Sequence, residues 1–107
     1  MFHARLIQYK LGTGKRQTAE NLTKKFDEVN RGLSGFRGNV YLFDDQNGEY
    51  QVINYWDTKA DAENAQSFLF PQLENELNGI TQEKPTYKFF EVYDPFESGD
   101  LVSKTRS

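Results

Sequence analysis

The chain contains no cysteine. That one absence removes disulfides, thiolate nucleophiles, iron–sulfur clusters and cysteine-based zinc sites, and it fits a reducing compartment, so a cytoplasmic location is the expectation. Long apolar runs are missing as well, since no window approaches the ~18 apolar residues of a membrane span. The first ten residues, MFHARLIQYK, carry charges inside their apolar stretch and lack a small-residue cleavage pattern. Neither membrane insertion nor secretion is expected. The 13 basic residues stand against 16 acidic ones, for a net charge of −3. They are dispersed rather than gathered in a stripe, which argues against a nucleic-acid partner.

Several chemistries fall away for want of the right spacing. No serine sits in a G-x-S-x-G setting, and without cysteine a hydrolytic triad has no nucleophile. Gly12-Thr13-Gly14-Lys15 is no phosphate loop, because Tyr9 stands where its first glycine belongs and Arg16 where its Ser/Thr belongs. An anion bound at that helix start would relieve the opposition of Lys15 and Arg16 to the helix dipole; a solvated helix start is the competing reading. The acidic hairpin of Asp44, Asp45, Asn47 and Glu49 fails the EF-hand register, with Tyr55 in the position of the closing Glu. No metal site is expected. The single histidine, His3, is a residue type suited to general-base work but sits near the N-terminus, where a surface or dimer-contact role is expected.

What the chain has in abundance is aromatic side chains. Nine Phe, six Tyr and one Trp make up 15% of its 107 residues. A chain of this length forms one domain and buries roughly 65% of its unfolded surface in a single core. The domain is expected over residues 1–96, with 97–107, poor in anchoring side chains, as a flexible tail.

The residues from Glu49 to Asp61, EYQVINYWDTKAD, organise the rest. Val52, Asn54 and Trp56 fall on one face of a strand and Gln51, Ile53 and Tyr55 on the other. Thr58 follows with the residue type of an N-cap, and Asp61 stands three residues on in a capping-box-like arrangement. Before this unit, Phe2 to Leu11 reads as a strand, with Phe2, Ala4 and Leu6 on one face and His3, Arg5, Ile7, Tyr9 and Leu11 on the other. From Lys15, Ala19, Leu22, Phe26, Val29 and Leu33 recur at helical spacing until Gly32 or Gly35. The loop GFRGN then leads to a strand over Val40 to Asp45, and Asn47-Gly48 predicts a tight hairpin turn. After Thr58, Ala62, Ala65, Phe68 and Leu69 mark a second helix; Pro71 is expected to end it and open a short third, with Leu73, Leu77 and Ile80 inward. Thr86 to Asp94 closes the set as a strand.

The order is β-α-β-β-α-β. It predicts an α+β, ferredoxin-like antiparallel sheet with both helices on one face. A strand apolar on both faces leaves the second face in need of cover, and a second copy packed face to face, forming a dimeric α/β barrel, is the expected one.

In this order and spacing, four features resemble the dimeric α/β-barrel proteins of the antibiotic-biosynthesis-monooxygenase type, over about residues 2–94. They are Gly35-Phe36-Arg37-Gly38 after the first helix, the strand ending in Tyr55-Trp56, the cap Thr58, and the aromatic strand Tyr87 to Tyr93. Members include cofactor-free oxygenases acting on quinol-like aromatics, haem-degrading oxygenases, and proteins with no established substrate. The resemblance implies a pocket between sheet and helices in each subunit, faced by the Trp. It implies Trp56 and Asn54 as catalytic candidates and Leu6, Gln8, Phe26, Val52 and Phe68 as ligand-binding candidates, with no metal and no cofactor. A small aromatic molecule and a second copy of the chain are the implied partners. The haem-degrading branch uses a strand Asn, the Trp and a helix His; only Trp56 has a match, since Gln8 is the sole amide of the first strand and His3 lies in that strand.

The leading expectation is therefore a cofactor-independent monooxygenase for a small aromatic or quinol-like substrate. A non-catalytic dimeric ligand-binding or stress-associated protein of the same fold, and a haem-binding relative lacking the helix His, stay open beside it. A core Trp sealing the helix–sheet seam and an Asn54 paired within the protein are the competing structural roles.

Overall fold

Strand β1 (His3–Lys10) lies in the interior of a four-stranded antiparallel sheet, paired on one side with β3 (Glu49–Trp56) and on the other with β4 (Thr86–Glu91). β2 (Phe36–Asp44) adds to the far side of β3, giving the order β2-β3-β1-β4. Helices α1 (Arg16–Arg31) and α2 (Lys59–Leu77) supply the two crossovers, which completes the ferredoxin-like α+β arrangement. This computed structural model describes residues 2–81 and 83–95; the expected tail over 97–107 lies outside the described residues.

Period-two alternation separates the two sheet faces. Ile7, Tyr9, Tyr50, Trp56 and Phe89 point toward the helices, while Ala4, Leu6, Val40, Leu42, Ile53, Tyr55 and Phe90 share the opposite face through their paired registers. The helix side holds two apolar clusters. One gathers Ile7, Tyr9, Leu22, Tyr50, Phe70, Leu73 and Leu77, and the other Trp56, Ala62, Ala65 and Leu69. Phe26 of α1 packs against both and marks their seam. On the opposite face Leu42 and Phe90 are more than 40% exposed, at 46% and 42%.

Four local expectations need correction. Pro71 does not end a helix: α2 runs through it to Leu77. Pro71 and Ser67 are both exposed, so the Ser67 carbonyl that loses its donor faces water, while Leu69, Phe70, Leu73 and Leu77 stay buried on the inner side. Ile80 lies beyond that helix and is 39% exposed. The GFRGN stretch is not a loop beyond Gly35: from Phe36 it is the bulged start of β2, with the register shifting between Phe36 and Gly38. Gly35, at φ 80°, precedes it, and a Cβ there would meet the Asp61 carboxylate at 2.0 Å.

The hairpin between β2 and β3 is the fourth: it spans Asp45 to Gly48 rather than two residues. Asn47 donates from its backbone to Asp44 Oδ1 at 3.2 Å and from its side chain to Asp44 Oδ2 at 2.9 Å, an Asx-type closure. Gly48, at φ 65°, lets its carbonyl accept from Leu11 N at 2.8 Å, and a Cβ there would strike the Gly12 backbone at 2.2 Å. Thr58 caps α2 as expected, its hydroxyl accepting from Asp61 N at 3.1 Å. Arg16 is no anion trap, being paired with Glu20 at 2.9 Å and Asp45 at 2.8 Å.

Candidate functional site

Three polar residues stand abreast on the helix side of the sheet. Arg5 of β1 is registered opposite Asn54 of β3, which is registered opposite Asn39 of β2. Their side chains join: Arg5 Nη1 donates to Asn54 Oδ1 at 2.8 Å, and Asn54 Nδ2 donates to Asn39 Oδ1 at 2.9 Å. At the inner end, Arg5 Nε donates to Gln66 Oε1 of α2 at 2.7 Å. At the outer end, Asn39 Nδ2 donates to Asp27 Oδ1 of α1 at 2.8 Å and to the Tyr41 hydroxyl at 2.7 Å; Tyr41 in turn donates to Asp27. Arg31 Nε closes the row on Asp27 Oδ2 at 2.7 Å.

Charge is distributed unequally along this row. Asp27 has a cation beside it, and burial, which pushes its carboxyl up, is outweighed by hydrogen bonds from Tyr41, Arg31 and Asn39, which hold it below its usual value. Burial, reinforced by the Asp27 carboxylate, raises the Tyr41 phenol, so that hydroxyl stays protonated and donates. Arg5 has no such partner. It is 3% exposed, both of its bonded acceptors are neutral amides, and among the described residues no carboxylate pairs with it. Burial pushes its guanidinium down to about 10, which leaves it protonated at neutral pH. A buried, uncompensated cation is costly to hold, so its presence calls for a reason.

Arg5 and Asn54 line a cavity of about 40 Å³, set between the sheet and the two helices and opening outward. Ile7, Leu22, Val52, Leu69 and Leu73 make most of its wall apolar, with Phe26 at the seam. Tyr9, Thr23, Asn30 and Tyr41 add polar atoms. Burial raises the Tyr9 phenol to about 12, so it too is neutral. Asn30 is 3% exposed; its Nδ2 donates to Phe26 O at 2.7 Å, while its Oδ1 has no partner among the described residues. No group of three or more His, Asp or Glu able to hold a metal occurs among the described residues, and no helix there is long and apolar enough to cross a membrane.

No family model and no curated protein matches the chain in sequence. Solved structures do match in shape. The cofactor-independent oxygenase SnoaB from Streptomyces nogalater superposes with a TM-score of 0.71 at 11% identity, over 91% of this chain and 98% of its own. An antibiotic biosynthesis monooxygenase gives 0.67 at 14% identity, over 88% of this chain and 100% of its own. A protein of unknown function from Nitrosomonas europaea gives 0.73 at 11% identity, over 87% and 90%. The likeness is one of fold.

Of the residues expected from the sequence, Asn54, Val52 and Phe26 come together on the cavity wall. Leu6 and Gln8 do not, because they alternate with Arg5 and Ile7 and point to the other sheet face. Phe68 is 52% exposed on α2, one residue away from the buried Leu69. Trp56 is fully buried and does not line the cavity; it stands edge-on to Phe36 at 5.5 Å and shares an apolar cluster with Leu69, which does line it. Its Nε1 has no partner among the described residues, nor has Nδ1 of His3, its registered neighbour on β1. Arg5, Asn39, Tyr41 and Asn30 were not among the expected site residues. The alternation of β1 already put Arg5 on the same face as Ile7 and Tyr9, and a charge among apolar neighbours is the signal that could have found it.

Proposed function

We propose that the chain is a cofactor-independent monooxygenase acting on a small aromatic or quinol-like substrate, and that it works as a homodimer. The observation that carries the proposal is Arg5, a buried guanidinium on the wall of a mostly apolar cavity, without a counter-ion among the described residues. An electron-rich aromatic can pass an electron to oxygen once its hydroxyl is ionised, so the protein need only desolvate, orient and stabilise the anion. A cation in a low-dielectric wall favours that ionised form. Asn54 and Gln66 hold the guanidinium in place through its Nη1 and Nε. Asn54 Nδ2 spends one hydrogen on Asn39, and its second is free to meet a developing oxyanion. Trp56 belongs to the same apolar cluster as Leu69 of that wall. That SnoaB, of the same fold, is a cofactor-independent oxygenase supports the reaction class.

The homodimer is supported by the sheet face away from the helices, where Leu42 and Phe90 stand exposed amid Leu6, Val40, Ile53 and Tyr55. The function is tested by oxygen uptake with a panel of hydroquinones, dihydroxynaphthalenes and anthrones in the presence of a metal chelator. Uptake above the spontaneous rate with at least one compound is the expected result. A panel that binds without accelerating uptake would replace the enzyme by a ligand-binding protein of the same fold.

A further inference from the structure

Besides the Arg5 charge, the cavity wall carries two buried polar atoms without a partner among the described residues, Asn30 Oδ1 and Thr23 Oγ1; the hydroxyl can turn to donate or accept, whereas the amide oxygen can only accept. Asn30 Oδ1 is an acceptor without a donor among the described residues: the amide orientation is set by the Nδ2 bond to Phe26 O, which turns Oδ1 away from that carbonyl in a side chain 3% exposed. Leaving such an acceptor unmet carries a desolvation penalty, as does a buried cation, and both residues line the same space. Among the described residues, none of the side chains lining that space is a carboxylate. An occupant that meets both needs brings one negative charge for Arg5 and one hydrogen-bond donor for Asn30, and in so small a space an O–H on the anion itself supplies that donor. The cavity, at about 40 Å³, is wide enough for a few non-hydrogen atoms at most before its mouth.

We propose that this cavity is a binding site for a small planar monoanion carrying one hydroxyl, of which hydrogencarbonate is the representative. Nitrate is the control the chemistry supplies, because it has the same trigonal shape, atom count and charge but no O–H. The inference stands apart from the proposed enzymatic function, since it concerns the resting protein and is read by binding alone. Where that function also holds, such anions occupy the place of the substrate's ionised oxygen and inhibit by competition.

The test is titration of the full chain with sodium hydrogencarbonate and with sodium nitrate at matched ionic strength and pH 8. Binding is followed by calorimetry and by the line width of ¹³C-labelled hydrogencarbonate. Saturable binding of hydrogencarbonate, tighter than nitrate by about three- to tenfold, is the value expected for one hydrogen bond. Two variants separate the two halves of the site. Gln66→Glu places a carboxylate on Arg5 Nε in a side chain that is only half-buried, and should weaken both anions by tenfold or more while the circular dichroism spectrum is kept. Asn30→Leu should bring hydrogencarbonate to the level of nitrate and leave nitrate unchanged. Absence of saturable binding by either anion would overturn the site and leave water as the occupant. Equal affinity for both anions in the wild type, or undiminished binding in Gln66→Glu, would overturn the assignment to Asn30 or to Arg5 respectively.

Discussion

A row of amides can hold a charge that it does not neutralise, and at the scale of single residues that is what Asn54 does here. It accepts from Arg5 and donates to Asn39, so both ends of its amide are used within the protein. Replacing it by Leu of similar volume leaves Arg5 Nη1 and Asn39 Oδ1 without partners; a loss of about 2–4 kcal/mol in urea unfolding is expected, larger than for an amide that served a ligand alone. An unchanged midpoint in Asn54→Leu would mean that the row is not formed in solution. Asp27 at the outer end gives a pH-dependent prediction. Its folded pKa lies below the ordinary 3.8, so its contribution to stability is complete above that value and is lost as pH falls toward the lowered one. The stability gap between wild type and Asp27→Asn should accordingly be constant from neutrality down to about pH 5 and close below 3.8. Asn54 stood out in the sequence because an amide in an apolar strand needs a partner, and Arg5 and Asn39 are the partners it has. The alternation of β1 set Arg5 among apolar neighbours, but its fixing by Gln66, 61 positions away in the chain, follows from no local pattern.

Among the elements, β1, β3 and the cap of α2 could be read directly, since alternation and Thr58 are local signals. The course of α2 past Pro71 was not, because burial of Leu69, Phe70, Leu73 and Leu77 overrides a local breaker. The structure makes Pro71 a cost that the packing tolerates. Pro71→Ala, at an exposed position, should restore a backbone donor to Ser67 O and raise stability by about 1–3 kcal/mol, measured by chemical unfolding. A decrease would show that the helix is kinked there for a reason of packing. The same competition displaced Phe68: its helical spacing from Ala65 fitted the core, but Leu69 and Phe70 fill the inner side and leave it outside.

For the whole molecule, a sheet with helices on one side and an apolar second face predicts association in pairs. The wild type should sediment at about twice the 12.5 kDa chain mass, and Phe90→Asp, on the outer β4, should shift it to the monomer without loss of secondary structure. A monomeric wild type would leave Leu42 and Phe90 exposed with no occupant to explain them. The fold was legible in the order of elements, whereas the proposed chemistry depends on one cation held by β1, β3 and α2 together. The most direct measurement of that chemistry is the absorption spectrum of a dihydroxynaphthalene bound anaerobically at pH 7, in wild type and in Gln66→Glu. An unpaired Arg5 guanidinium predicts the spectrum of the ionised naphthol in wild type and of the neutral one in the variant. A neutral spectrum in both proteins, with binding demonstrated, would contradict the role assigned to Arg5.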